Sequence, residues 1–171
     1  MKASYARAME GLYLACIAIA GLCMTVMTVV VPWGVYTRYV LNRGSQWPEP
    51  MAVLLMIVFT FLAAAACYRA NAHIAVQFVA DAMWPSLRRV TTALVDLLMA
   101  LLSLFMVIWG VFLVRTTWNQ VIGEFPFLSV GITYMPIPIG GVITFLFIIE
   151  KAWIGRPGPE SFVHREPVAI D

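Results

Sequence analysis

The sequence predicts an all-α integral membrane protein, with four transmembrane helices and a short interfacial amphipathic helix between the second and third. Three observations carry this prediction. Hydrophobic residues make up 62% of the 171 positions and charged residues 12%, against about 45–50% and about 25% in soluble domains. Four runs of 19 to 27 residues carry no charge or a single acidic group, enough for the roughly 20-residue helix that crosses about 30 Å of hydrocarbon. Charged, aromatic or proline residues bound each run, as expected at a membrane–water interface. The predicted membrane domain covers residues 1–154, with spans at about 11–37, 50–68, 92–114 and 130–149. The interfacial helix falls at about 72–84, and residues 155–171 form a disordered tail.

The first run, Gly11 to Thr37, is 27 residues long. A secretory signal has an apolar core of about 7–15 residues, so this run is expected to be a retained span. Pro32 falls late in it and is expected to kink it, because proline removes one backbone bond and crowds the carbonyl four residues earlier. Trp33, Tyr36 and Tyr39 then mark the far interface.

The second run, Pro50 to Tyr68, is 19 residues long and lies between two polar clusters. Pro48 and Pro50 suit a helix start, where the first N–H groups have no intrahelical partner. Glu49 falls in the first turn, where the helix dipole favours a negative charge, and Trp47 lies at interfacial depth. The run Ala63–Ala66 offers a small-residue surface for close helix approach.

His73, Gln77 and Asp81 recur every four residues among apolar neighbours, which gives a helix with a narrow polar stripe lying in the interface until Pro85. The third span lies within Val90–Val114 and contains Asp96. An ionised group at mid-depth costs about 2.5–3.5 kcal/mol on insertion scales. Asp96 instead falls about one turn from the surface, within reach of water or Arg89, so a structural or interfacial role is favoured over an ion pathway. Arg115 to Glu124 is a short connection, and Phe125 to Ile149 holds the fourth span. Pro126, Pro136 and Pro138 crowd its beginning, so regular helix is expected from about Pro138, after a broken or tilted lead-in.

Four spans put both termini and the central connection on one side. That side carries Lys2, Arg7, Arg69, Arg88, Arg89, Lys151, Arg156 and Arg165, eight in all, and the other carries Arg38, Arg43 and Arg115. The positive-inside rule therefore predicts cytoplasmic termini.

Several function classes fall away. The net charge of +2, with cations dispersed among segment ends, does not suit nucleic acid. Cys16, Cys23 and Cys67 all lie in apolar runs and are expected to be buried, inert thiols. A haem b subunit needs pairs of histidines within its spans, whereas His73 and His164 lie outside them. No phosphate-binding glycine pattern or catalytic triad is legible, and no cofactor or enzymatic activity is expected.

Arg38-Tyr39-Val40-Leu41-Asn42, then Ser45-Gln46-Trp47-Pro48-Glu49, an apolar span, and Asn71-Ala72-His73-Ile74-Ala75-Val76 follow one another in that order. This ordered set resembles the small membrane subunit of tripartite ATP-independent periplasmic (TRAP) transporters, with Pro50 and Asn71 departing from the family's usual residues. The resemblance implies a bacterial inner-membrane protein that braces a large sodium-coupled membrane subunit, fed with an organic acid by a periplasmic solute-binding protein. Arg38, Tyr39, Asn42, Trp47, Glu49, Arg69 and His73 are then candidate partner contacts. The alternative is a self-sufficient homo-oligomeric channel or carrier. Such a carrier needs a central carboxylate, which the near-terminal position of Asp96 does not supply.

Overall fold

In lipid every backbone N–H and C=O must be satisfied within the chain, so long apolar runs form helices. A computed structural model describes residues 2–42, 44, 46–70, 85–123 and 125–153. The expected interfacial helix at 72–84, with His73, and the expected tail at 155–171 lie outside the described residues. Among the described residues, four helices are long and apolar enough to cross a membrane: Tyr5–Tyr39, Pro48–Arg69, Val90–Thr117 and Val130–Trp153.

Helix α1 runs Lys2–Tyr39 with Pro32 inside it. At 1.5 Å per residue it measures roughly 57 Å, well beyond the hydrocarbon thickness, so it extends into the headgroup regions or tilts. Asn42 follows with a left-handed φ of 49°, a conformation that asparagine tolerates better than most residues. Helix α2, Pro48–Arg69, opens with proline in its first turn and Glu49 beside it, and closes where the Ala70 N–H donates to the Ala66 carbonyl. Helix α3 runs Pro85–Thr117.

The proline-rich lead-in to the last span is resolved into three short pieces. Strands β1 (Val121–Ile122) and β2 (Phe125–Ser129) pair antiparallel, and a one-turn helix α4 (Val130–Tyr134) leads into α5 (Pro136–Trp153). Ser129 caps α4 by accepting from the Gly131 N–H at 3.1 Å and donates to the Trp118 carbonyl, while the Val130 N–H reaches the Gln120 carbonyl at 2.8 Å. Pro136 opens α5, where its missing donor costs nothing.

The helices pack in the order α1–α2–α5–α3, so α2 and α5 are central and α1 and α3 are flanking. On α1 the buried residues Met9, Tyr13, Cys16, Ala20 and Cys23 follow a 4–3 spacing, and Val30 and Thr37 continue it at intervals of seven, so that they form one seam on this helix, which packs most on α2, with the 3.5-residue period of left-handed helix pairing. The core joins the Met9–Cys16 stretch of this seam to Leu62, Ala65, Ala66 and Tyr68 of α2 and to Ile143 and Phe147 of α5.

Helix α5 fits between two neighbours because it carries adjacent glycines. A Cβ on Gly140 would lie 2.9 Å from the Phe61 Cβ on α2, and one on Gly141 would lie 3.0 Å from the Ser103 carbonyl oxygen on α3. Cys16 and Cys23 are buried as expected, but Cys67 is exposed, because α2 turns Ala65 and Ala66 inward and leaves Cys67 on its outer face.

Candidate functional site

The polar residues gather at the two ends of the helix row. At the end where α1 gives way to α2, the Arg38 Nη2 lies 2.7 Å from Glu49 Oε1, with both side chains more than half exposed. The short connection between the helices brings these charges together. Trp47 is 40% exposed and Tyr39 73% exposed, and Asn42 is exposed at the left-handed turn between them. Five of the sequence-predicted residues thus form one accessible patch containing two aromatic surfaces, an ion pair and an amide. Beside it is a groove of about 270 Å³ lined by Val31, Gly34, Val35, Pro48, Ala52 and Val53. An exposed pair of this kind contributes only about 0–1 kcal/mol to folding, so the patch is available for contacts at little cost to stability.

The opposite end is built differently. Arg69, expected among the partner contacts, is an internal residue there. Its Nε donates to Glu150 Oε2 and its Nη2 to Glu150 Oε1, both at 2.8 Å, and the two side chains are 4% and 6% exposed. The guanidinium also lies 5.2 Å from the Tyr13 ring centroid and 5.5 Å from that of Phe147. One side chain of α2 is therefore held by α5 through charge and by α1 and α5 through aromatic faces.

Asp96 of α3 sits beside this pair. It accepts from the Tyr68 hydroxyl at 3.0 Å and forms an ion pair with Lys151 Nζ, and Lys151 lies over the Tyr68 ring at 5.4 Å. Lys151 compensates the carboxylate. Successive residues on two central helices, Tyr68-Arg69 and Glu150-Lys151, thus tie all four helices together at one level. Sequence reasoning passed over Tyr68, Glu150 and Lys151 as site residues. The available signal was that Arg69 and Glu150 end two spans on the same side, which puts opposite charges at one depth.

Among the described residues, no group of three or more His, Cys, Asp and Glu side chains could hold a metal ion. One end thus carries buried pairing between helices, and the other an exposed polar and aromatic patch.

Residues 27–156 match the family described as tripartite ATP-independent periplasmic transporters, DctQ component. The chain is also similar to the sialic acid TRAP transporter small permease protein SiaQ of Vibrio cholerae, 25% identical over 130 residues that cover 75% of this chain and 73% of the relative. With four membrane-spanning helices and a family match over most of its length, the chain is a multi-pass inner-membrane transport component and belongs to the DctQ component family of TRAP transporters.

Proposed function

We propose that this chain is the accessory small subunit that braces a large, sodium-coupled TRAP membrane subunit, for uptake of an organic acid delivered by a periplasmic binding protein. The observation that carries this reading is the open row of helices. Helices α1 and α3 lie at its two flanks, and between its ends the row presents apolar side chains such as Leu22, Val29, Leu101, Phe105 and Ile108. The two described carboxylates within or at the ends of the last two spans, Asp96 and Glu150, are each held by a cation of the same chain. Among the described residues, such a row offers apolar flanks to a larger partner and no central polar constellation to a solute. Sialic acid, the solute in the relative's name, falls within the proposed class.

In this reading both termini and the Arg69–Glu150 end are cytoplasmic, and the Arg38–Glu49 patch faces the periplasm, where Trp47 and Tyr39 contact the large subunit or the binding protein. A reporter active only in the cytoplasm should work when fused after Asp171 and fail when inserted near Gly44. The reverse pattern would overturn the orientation.

The test of the function is uptake in liposomes. The chain alone should move no organic acid. Co-expressed with a large TRAP membrane subunit and supplied with the binding protein, it should co-purify and support sodium-driven uptake. Glu49→Gln and Trp47→Ala should each reduce that uptake while leaving the folded chain intact, since both groups are exposed and loss of a central aromatic or charged contact weakens an interface by about 2 kcal/mol or more. Uptake by the chain alone would sink the accessory reading, and full uptake by both variants would remove the patch from the contact surface.

A further inference from the structure

At the Arg38–Glu49 end of the row a second groove opens between α3 and the start of α5. Val111 and Val114 form one wall and Met135, Pro138 and Ile139 the other, and the cavity volume is about 500 Å³. The groove opens beside a tight crossing: a Cβ on Gly110 would lie 2.9 Å from Pro138 Cδ, so the helices touch there and part towards their ends. Arg115 and Asn119 stand at its rim with Trp118 beside them. Arg115 lies in the last turn of the span, and both it and the indole belong at the headgroup level.

The two grooves at this end differ in charge. In the groove between α1 and α2, the Arg38 cation is neutralised by Glu49 at 2.7 Å. In the groove between α3 and α5, Arg115 makes no ion pair among the described residues, and every other lining side chain is uncharged.

We propose that the α3–α5 groove is a binding site for one anionic phospholipid, phosphatidylglycerol in a bacterial membrane. The Arg115 guanidinium and the Asn119 amide donate to the phosphate, and one acyl chain follows the apolar walls. A guanidinium fork matches phosphate oxygens in geometry as well as charge. The uncharged walls accept an alkyl chain, but with no carboxylate among the lining residues they offer no opposite charge to the ammonium of phosphatidylethanolamine, whereas Arg115 favours a net-anionic headgroup. The site does not depend on the accessory-subunit reading, because it is built from this chain alone.

The test uses the full chain, extracted in detergent, stripped of lipid and titrated with phosphatidylglycerol or phosphatidylethanolamine, with bound lipid counted by native mass spectrometry. Wild type should retain one phosphatidylglycerol in preference to phosphatidylethanolamine. Arg115→Gln should weaken that binding about fivefold, the weight of one basic side chain near an anionic surface. Val111→Trp, which fills the groove and leaves the cation in place, should weaken it at least as much while elution on size exclusion stays unchanged. Arg38→Gln removes a cation from the same end and should have no effect. Equal retention by Arg115→Gln and wild type, or equal binding of the two lipids, overturns the proposal. So does loss of the lipid when the large subunit is co-purified, which would make the groove a protein contact.

Discussion

Glu150→Gln should destabilise the folded chain by about 3–5 kcal/mol, the usual cost of leaving a buried charge without its partner. The Arg69 side chain is only 4% exposed, and its two hydrogen bonds to described residues both end on Glu150. A glutamine can still accept one bond, but it removes the charge that offsets the guanidinium. The aromatic faces of Tyr13 and Phe147 compensate only a fraction of that loss. The measurement is thermal denaturation of the detergent-solubilised protein followed by size exclusion. The double replacement Arg69→Met, Glu150→Met separates charge compensation from packing: exchanging a buried ion pair for apolar groups of similar volume is often neutral or stabilising, so the double variant should recover most of what Glu150→Gln loses. A double variant no better than Glu150→Gln would mean that the pair contributes direction and geometry beyond mutual neutralisation.

Gly141→Leu should be the next most damaging change. A Cβ there would lie 3.0 Å from the Ser103 carbonyl oxygen and 3.1 Å from Met106 Cβ. The backbone of α3 cannot yield without separating the two helices. Overpacking of this sort costs about 1–3 kcal/mol, and the added branches of leucine push towards the upper end. Gly21→Leu is the matched control, since a Cβ at Gly21 meets nothing within 4 Å. It should leave the denaturation midpoint unchanged or raised, because leucine is the better helix former. Equal midpoints for the two variants would show that α3 and α5 are not in close contact in the membrane.

Much of the architecture was legible because lipid narrows the choices. An apolar run of about 20 residues in a bilayer has one stable backbone solution, so counting the runs was enough to count the spans. The Arg38–Glu49 patch was legible for a related reason: its two charges end one helix and begin the next, and a short connection holds them at the same surface. Glu150 and Lys151 were harder to recognise. At the end of the last apolar run they read as ordinary interfacial charges, and their partners lie 81 residues away for Glu150 and 55 for Lys151.

By itself, then, the sequence determined that this chain crosses the membrane four times, where its polar ends fall, and, through ordered motifs around the second span, which transporter family it resembles. Only the tertiary structure decided that the row runs α1–α2–α5–α3, that Arg69 turns inward to Glu150, and that Gly140 and Gly141 face different neighbours. The physical reason is that lipid and protein interior are both apolar. A soluble helix shows its inner face by contrast with a polar outer one, whereas a helix such as α2 is apolar on every side of its membrane-spanning part. Its partner face is chosen by close packing, small residues and a few buried charges, and these become visible only when the helices are placed side by side.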